Sequence, residues 1–344
     1  MKKPRVCIVS PAAAGDNNGN WHTAARWRRF LAPVAQVQVV LAWQGEPADA
    51  LIALHARRSA ASIARFSEQH ADAPLALVLT GTDLYRDIEF DTSALHSLEC
   101  ATHVVVLQDE GLTRLDPSVR EKARVIVQSA RARARGAMLL RHFDFVAVGH
   151  LREEKDPLTL MRAACMLPSL PSLPSLSGLP IRIVHIGDGL DDDLADAARR
   201  TETECPGYRW LGGLSREHAR RWIARSRALV HMSRMEGGAN VVIEAIRSHV
   251  PVLASRIDGN VGLLGGDYGG YFPVGDAAAL AALMQRFASD PAFASSLAVQ
   301  CAAREPCFAP AVERRETRRL LANMLDRKRG PTRQADMPAC ERSQ

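Results

Sequence analysis

The stretch Ser233-Arg-Met-Glu-Gly-Gly-Ala-Asn-Val-Val-Ile-Glu-Ala-Ile-Arg-Ser-His-Val-Pro-Val-Leu-Ala-Ser255 is the most informative part of the sequence. It predicts a loop, a short helix that begins near Asn240, and a buried strand that begins at Val250-Pro251-Val252-Leu253. The first amides of such a helix, those of Ala239, Asn240 and Val241, have no partner within the helix. Together with the positive end of the helix dipole, they favour an anion, most naturally a phosphate.

Two carboxylates flank that predicted anion site. Glu236 lies in the loop beside Gly237 and Gly238, and Glu244 lies about one turn inside the helix, where its carboxylate would accept two hydroxyls. This arrangement is typical of a site for a sugar linked to a phosphate. The alternative is a structural helix with a solvated Glu236 and with Glu244 in a salt bridge.

Length and composition predict a globular protein of two domains. The chain has 344 residues, of which 47% are hydrophobic and 24% charged. The N-terminal run from Met1 to Ser10 has too short an apolar segment for a signal peptide and predicts a first strand. No apolar run is long enough to span a membrane. The seven scattered cysteines form no CxxC pair, and we expect them to be reduced, in the cytoplasm.

The net charge of +6 suits an anionic small substrate as well as nucleic acid. Basic residues cluster at 131–141 and 314–329, but no aromatic residues alternate with them, as they usually do in nucleic-acid grooves. We therefore expect solvated surfaces there and no nucleic-acid partner.

Short apolar runs alternate with amphipathic ones throughout the first half, which predicts an α/β fold with a parallel sheet covered on both faces. Phe145-Val-Ala-Val148 restarts the pattern, so the second half is expected to repeat the first. We place the boundary near Arg141 to Phe145 and expect the sheets to face each other across a cleft, where ligands bind beyond the strand ends. The predicted ranges are domains 1–142 and 143–305, a terminal helix within 306–328, and a disordered tail at 329–344. The repeat Pro168-Ser-Leu-Pro-Ser-Leu-Pro-Ser-Leu-Ser177 predicts a surface loop.

Two loops of the first half follow predicted strands. The loop Gly15-Asp-Asn-Asn-Gly-Asn20, with Gly15, Asn18, Gly19 and Asn20, leads into a helix, so its amides would bind an anion; a plain turn is the alternative. Thr80-Gly-Thr-Asp-Leu-Tyr85 places the hydroxyl of Thr80 and the carboxylate of Asp83 at a strand end. Asp83 would orient a substrate or cap the next helix.

Two loops of the second half also follow strands. Gly149-His-Leu-Arg-Glu-Glu-Lys155 supplies Arg152 and Lys155, which would neutralise a diphosphate leaving group unless they are only surface charges. His150 would titrate or simply pack. Gly187-Asp-Gly189 is a lone glycine turn, and neither GxGxxG after the first strand nor a P-loop is present, which argues against an oxidoreductase and a P-loop ATPase.

The spacing of Glu236 and Glu244, with seven residues between them, resembles the E-x7-E motif of family 4 glycosyltransferases of the GT-B class. VGHLREEKDP, IVHIGDG, YRWLGGLS and YFPVGDAAALAALM are similar to that family as well. The resemblance implies two Rossmann-like domains facing a cleft, an N-terminal acceptor domain and a C-terminal domain for a nucleotide sugar. It also implies that the terminal helix returns to the N-terminal domain.

By the same resemblance, Glu244 would bind the ribose of the donor, and Glu236 with the amides of Gly237 and Gly238 would hold the donor sugar. Lys155 would contact the diphosphate. The family commonly has arginine where His150 stands, so this contact would shift to Arg152. The donor site would be completed by neighbouring loop and helix residues: Asn240, Val241, His150 and Gly187.

Within the family, LTGTDLYRD, VGHLREEKDP, EGGANVVIEA and SRIDGNVGLLGGDYGGYF together resemble the selenosugar synthases of selenoneine biosynthesis (SenB type). That resemblance implies UDP-N-acetylglucosamine or UDP-glucose as donor and selenophosphate as acceptor, with no cofactor and no metal. A small anionic nucleophile needs cationic or amide donors more than a strong base. The Gly15 to Asn20 loop with Arg26, and Thr80 with Asp83, would supply the acceptor site. Thr80 stands where the family usually has histidine.

Three other functions remain open from the sequence. An ordinary family 4 enzyme would transfer the sugar to a glycan or lipid hydroxyl. A nucleotide-sugar epimerase would have the same two-domain fold, and a nucleic-acid-binding module would use the positive charge.

Overall fold

The computed structural model describes residues 2–16, 18–138, 141–167 and 178–326. Contacts divide the chain into two units. The first unit contains the described parts of 1–129, 236–238 and 307–344, and the second contains those of 130–235 and 239–306. The predicted domain ranges 1–142, 143–305 and 306–328 stay predictions, and the tail at 329–344 and the repeat at 168–177 lie outside the described residues.

The first unit contains a parallel sheet of six strands in the order β2-β1-β3-β4-β5-β6. The predicted parallel α/β architecture is therefore confirmed. Its strands are β1 (Arg5–Val9), β2 (Gln36–Val40), β3 (Ala50–Leu54), β4 (Leu75–Val78), β5 (His103–Val106) and β6 (Ala123–Val125). Its helices are α1 (Gly19–Leu31), α2 (Ala60–Gln69), α3 (Ile88–Phe90), α4 (Thr92–Cys100), α5 (Pro117–Glu121) and α13 (Pro310–Leu325).

Alternate residues of the central strands enter two separate cores. Val6 and Ile8 of β1 pack in a cluster with α1 and α13, whereas Cys7 and Val9 pack in a cluster with α2 and α4. Side chains of successive strand residues point to opposite faces, so a sheet covered on both faces requires continuous apolar strands. This explains why Ala50–Leu54 is buried at every position.

The second unit repeats the architecture with a parallel sheet in the order β12-β11-β10-β7-β8-β9. The strand predicted from Val250 begins at Val252, one residue after Pro251, which has no amide to donate to a ladder. Its strands are β7 (Phe143–Val148), β8 (Ile181–Ile186), β9 (Tyr208–Trp210), β10 (Ala228–His231), β11 (Val252–Ser255) and β12 (Tyr271–Phe272). Its helices are α6 (Pro157–Met166), α7 (Asp192–Glu204), α8 (Arg216–Arg225), α9 (Asn240–Ile246), α10 (Asp258–Leu264), α11 (Ala277–Ser289) and α12 (Pro291–Arg304).

The prediction that all cysteines are reduced is wrong, because Cys165, Cys205 and Cys307 are disulfide-bonded. Cys165 at the end of α6 and Cys205 just after α7 form a disulfide, with their Cα atoms 5.3 Å apart. They are 40 residues apart in the chain and belong to no motif, so only the packing of α6 against α7 brings them together. Cys7, Cys100 and Cys301 are free thiols.

Within the described ranges, no helix combines the length and apolar character that crossing a bilayer requires.

Candidate active site

The helix predicted near Asn240 is present as α9, and its start is set by the residue before it. Ala239 has an extended backbone, with φ −76° and ψ 97°, and immediately precedes the first helical residue. Glu244 lies one turn inside α9, as the sequence predicted. Asn240 and Val241, in the first turn, are half-buried.

Glu244 is only 4% exposed and is paired with an arginine of a neighbouring helix. Nε of Arg216 donates a hydrogen bond to Oε1 of Glu244 at 2.7 Å. Nη2 of the same arginine lies 2.6 Å from that oxygen. Nε of Arg220 lies 3.9 Å from the same oxygen. The salt bridge that the sequence left as an alternative is therefore present, and the pairing holds the start of α8 against α9. Arg216 was not predicted, because 28 residues separate it from Glu244.

The loops that follow β7 and β8 are packed closely together in the second unit. The amide of Asp188 donates to Nδ1 of His150 at 3.1 Å, and the amide of Leu151 donates to the carbonyl of Asp188 at 2.8 Å. Gly187 has a φ of +158°, and a Cβ there would overlap the carbonyl of Gly149. His150 thus packs against the neighbouring loop, and Gly187 is required for the close approach of the two backbones.

Replacing Gly187 with alanine is expected to lower the melting temperature, because the new methyl group pushes the two loops apart. We expect a loss of about 1–3 kcal/mol in stability, the usual cost of overpacking. Gly212→Ala is the matched control: its φ is +66°, but nothing lies within 4 Å of an added Cβ. Calorimetry of both variants measures the loss of stability, and equal losses in the two would contradict the packing argument.

The two predicted cations follow His150 on the same loop. Arg152 precedes a 3-10 turn over Glu153–Lys155, and its Nε is 3.9 Å from the carboxylate of Glu154. The chain of Lys155 lies along Gly149, since an added Cβ there would be 3.6 Å from Cδ of Lys155. The structure therefore places His150, Arg152 and Lys155 in one loop of the second unit, with both cations half-buried.

The residues Glu236–Gly238 are grouped with the first unit by their contacts. A Cβ at Gly237 would lie 2.5 Å from the carbonyl carbon of Thr80 and 2.8 Å from the amide nitrogen of Gly81. At Gly238 it would lie 3.2 Å from Oε1 of Gln128. Because only glycine fits against this backbone, Gly237 brings the loop that carries Glu236 next to the predicted acceptor residue Thr80.

Asp83 is fully buried and organises the loop that follows β4. Its Oδ1 accepts from the amides of Thr80 at 2.9 Å and Gly81 at 2.8 Å, and its Oδ2 accepts from the amide of Ala56 at 3.0 Å. Asp83 does not cap the next helix, as one alternative predicted, because it is the first residue of that helix and its carboxylate holds the amides of the loop instead. The loop then continues as a π-helical turn over Asp83–Asp87.

The loop before α1 is also held by its own side chains. Oδ1 of Asn18 accepts from the amide of Asn20 at 2.8 Å and so caps α1. Gly15 and Gly19 are exposed, whereas Asn20 is buried. Arg26, predicted to assist the acceptor, is instead 5% exposed and bonded to Glu313 of α13 at 2.7 Å. That prediction is wrong, because a buried cation needs a paired carboxylate and Glu313 supplies it.

Sequence reasoning missed His55, which directly follows β3 in the first unit. It is 3% exposed, has a φ of +73°, and lies 3.0 Å from the hydroxyl of Thr82. The signal in the sequence that could have indicated this residue was a histidine directly after a buried apolar strand. Among the described residues, no group of three or more His, Cys, Asp or Glu side chains is arranged to hold a metal ion.

The two parallel sheets with flanking helices have the GT-B fold. HepE of Anabaena, solved in complex with UDP and glucose, is 14% identical, with a TM-score of 0.68 over 93% of this chain and 100% of HepE. Sucrose-phosphate synthase of Thermosynechococcus elongatus is 17% identical, with a TM-score of 0.74 over 94% of this chain and 99% of that one. At these identities, the likeness is one of fold.

The activity class follows from the second half of the chain. Residues 142–290 match the model of the family described as glycosyl transferases group 1. The protein is a glycosyltransferase, as the resemblance of its motifs predicted. No curated protein matches the sequence.

Proposed function

We propose that the protein is a selenosugar synthase that transfers a sugar from a UDP-sugar, UDP-N-acetylglucosamine or UDP-glucose, to selenophosphate. The selenium atom forms a bond to the anomeric carbon as the bond from that carbon to the UDP oxygen breaks. Water then cleaves the phosphorus–selenium bond, so that the products are a 1-selenosugar, UDP and phosphate. The reaction belongs to selenoneine biosynthesis.

The observation that carries the donor half of this proposal is the loop and helix that hold Glu236 and Glu244. Glu236 is half-buried beside two glycines, and Glu244 lies one turn inside α9. The structures of HepE with UDP and with UDP-glucose support a UDP-sugar donor on this fold. The selenophosphate half is supported by the sequence resemblance of four segments, LTGTDLYRD among them.

For the donor, we propose that Glu244 binds the ribose and that Glu236 binds the sugar with the amides of Gly237 and Gly238. Lys155 and Arg152 neutralise the diphosphate as its charge develops, which is where electrostatic catalysis acts. The remaining donor contacts are proposed for Asn240, Val241, His150 and Gly187.

For the acceptor, we propose amide and hydroxyl donors from the first unit. Gly15 and Gly19 are exposed and have no side chain to obstruct an anion. Asn18, Asn20 and Asp83 act indirectly, because the carboxamide of Asn18 caps α1 and the carboxylate of Asp83 holds the Thr80 loop. Thr80, in the loop that Asp83 holds, contributes a hydroxyl donor.

The proposed compartment is the cytoplasm. The free thiols of Cys7, Cys100 and Cys301 favour it, whereas the Cys165–Cys205 disulfide and the disulfide-bonded Cys307 are more typical of an oxidising compartment.

The test of the proposed function is selenophosphate-dependent release of UDP by the purified enzyme, with mass spectrometry of the sugar product. We expect a product whose isotope pattern shows one selenium atom, and UDP in equal amount. Equal UDP release with water and with selenophosphate, without a selenium-containing sugar, would overturn the proposal. Transfer to a glycan or lipid hydroxyl in parallel assays would identify the ordinary family 4 activity instead.

Glu236→Gln is expected to damage turnover more than UDP binding, because the carboxylate acts on the sugar and not on the nucleotide. We expect kcat to fall by about 10²- to 10³-fold, as is typical when one transition-state contact is lost, and the affinity for UDP to stay near that of the wild type. Glu68→Gln, at an exposed position of α2, removes the same charge elsewhere and serves as the control. A mainly weakened UDP affinity in Glu236→Gln would contradict this assignment.

A further inference from the structure

The buried residue His55 has an unusual conformation at the end of β3. Its amide donates to the carbonyl of Val78 at 2.9 Å, continuing the β3–β4 ladder, and yet its φ is +73°. A positive φ is uncommon for residues other than glycine and is found where surrounding structure enforces it. His55 therefore holds an imidazole ring, 3% exposed, at a fixed place beside the Thr80 to Tyr85 loop.

Burial keeps the ring neutral, although two carboxylates lie near it. Oδ2 of Asp83 is 3.9 Å from Nδ1 and Oδ2 of Asp87 is 4.0 Å from Nε2, but both carboxylates have closer partners. Asp83 accepts backbone amides, and Asp87 is paired with Arg57 at 3.0 Å. Burial lowers the pKa of His55, and the positive charges of Arg58 and Arg57 lower it further. The carboxylates of Asp83 and Asp87 act in the opposite direction and raise it. The neutral ring then has one donor and one acceptor.

The hydrogen bonds assign these two roles. Nδ1 faces the amide of Arg58, which donates to it at 3.4 Å. The proton must therefore lie on Nε2, which is 3.0 Å from Oγ1 of Thr82 and donates to it. Since the Thr82 oxygen already accepts this bond, its own proton is available for a further acceptor. Thr82 is half-buried, so its hydroxyl has exposed surface.

A cation also lies near the ring of His55. Arg58 is exposed and lies close enough for its charge to act on the ring of His55. Its neighbour Arg57 is engaged with Asp87, whereas the guanidinium of Arg58 forms no hydrogen bond or ion pair with any part of the chain that the structure describes. A hydroxyl that can donate and a cation near the same imidazole ring are together the chemistry that recognises a phosphoryl oxygen.

We propose that His55 is a positioning residue that sets the Thr82 hydroxyl as a hydrogen-bond donor to a phosphoryl oxygen of the acceptor, with Arg58 supplying the adjacent positive charge. None of these three residues was among the predicted acceptor ligands. The inference rests on the proposed function for the identity of the acceptor, since it assigns the selenophosphate subsite to this part of the first unit.

The test compares two substitutions of His55 that separate the hydrogen bond from the backbone. The amide nitrogen of glutamine reaches the position of Nε2, whereas that of asparagine reaches only the position of Nδ1. Asparagine, however, tolerates a positive φ better than glutamine does. A role in positioning Thr82 therefore requires His55→Gln to outperform His55→Asn, and a purely conformational role requires the reverse order.

We expect His55→Asn and Thr82→Val each to raise the KM for selenophosphate by about tenfold or more, the usual effect of losing a hydrogen bond to a charged group. The kcat and the KM for the UDP-sugar should change little, and His55→Gln and Thr82→Ser should stay near the wild type. The double variant His55→Asn/Thr82→Val should be no worse than Thr82→Val, because both changes remove the same bond. We also expect Arg58→Ala to raise the KM for selenophosphate.

Inorganic phosphate serves as the probe that separates this inference from the proposed function. If the wild type forms no selenosugar, the proposed function is wrong, and phosphate binding by titration calorimetry then decides the subsite. The proposed subsite is supported if phosphate binding is lost in Thr82→Val and kept in Thr82→Ser. The inference is overturned if the wild type binds no phosphate, if His55→Asn equals or exceeds His55→Gln, or if Thr82→Val leaves the KM for selenophosphate and the affinity for phosphate unchanged. Thr82 lies on a half-buried loop, so its variants test the subsite even if those of His55 fail to fold.

Discussion

Glu313→Ala is expected to destabilise the first unit by about 3–5 kcal/mol, the usual cost of leaving a buried charge without its partner. Glu313 is 1% exposed in the terminal helix α13. Its carboxylate accepts from Nε of Arg26 at 2.7 Å, from Nε1 of Trp27 at 2.9 Å, and from the amide of Ser129 at 2.8 Å. Removing it leaves the guanidinium of Arg26 buried and uncompensated.

Urea unfolding, with hydrogen exchange read on the α1 and α13 peptides, measures this effect in the first unit. The double variant Arg26→Met/Glu313→Leu should recover the part of the loss that comes from the unpaired charge of Arg26, because an apolar pair needs no desolvation of charge, whereas the donors of Trp27 and Ser129 stay unpaired. Asp49→Asn, which breaks an exposed ion pair with Arg5, is the matched control and should have little effect. A loss in Glu313→Ala no larger than in that control would show that the buried network contributes nothing.

Glu244→Ala is expected to weaken UDP binding by about 10- to 100-fold, since hydrogen bonds to a charged group contribute about 1.5–3 kcal/mol. We propose that the carboxylate accepts ribose hydroxyls while Arg216 holds it in place. The pairing with Arg216 fixes the carboxylate before the nucleotide arrives, because the guanidinium binds Oε1 at 2.7 Å from Nε. Preorganisation of this kind lowers the cost of binding.

Arg216→Ala separates the two roles of Glu244. If the carboxylate only anchored α8, the loss of either partner would have the same effect on UDP affinity. If it binds the ribose, Arg216→Ala should cost much less than Glu244→Ala. Isothermal titration in which Glu244→Ala keeps the wild-type affinity for UDP would remove the ribose assignment altogether.

The sequence alone predicted the elements that depend on local patterns. The run Ile181–Ile186 is a strand with the predicted bounds, and the helix near Asn240 begins there, because an apolar run and the residues around a helix start are adjacent in the chain. The E-x7-E spacing likewise required only the geometry of one short helix. The helices α10 to α12 were not predicted, although Asp276 and Asp290 cap α11 and α12.

The tertiary structure decided which side chains are partners. Arg26 and Glu313 are 287 positions apart, and Cys165 and Cys205 are 40 apart. His55 meets Thr82 only because β3 and β4 are neighbours in the sheet. Local periodicity fixes what each segment becomes, since it depends on residues a few positions apart. Which buried charge meets which depends on the order of strands and the packing of helices, and for this reason Arg26 was predicted as a ligand and found as a structural cation.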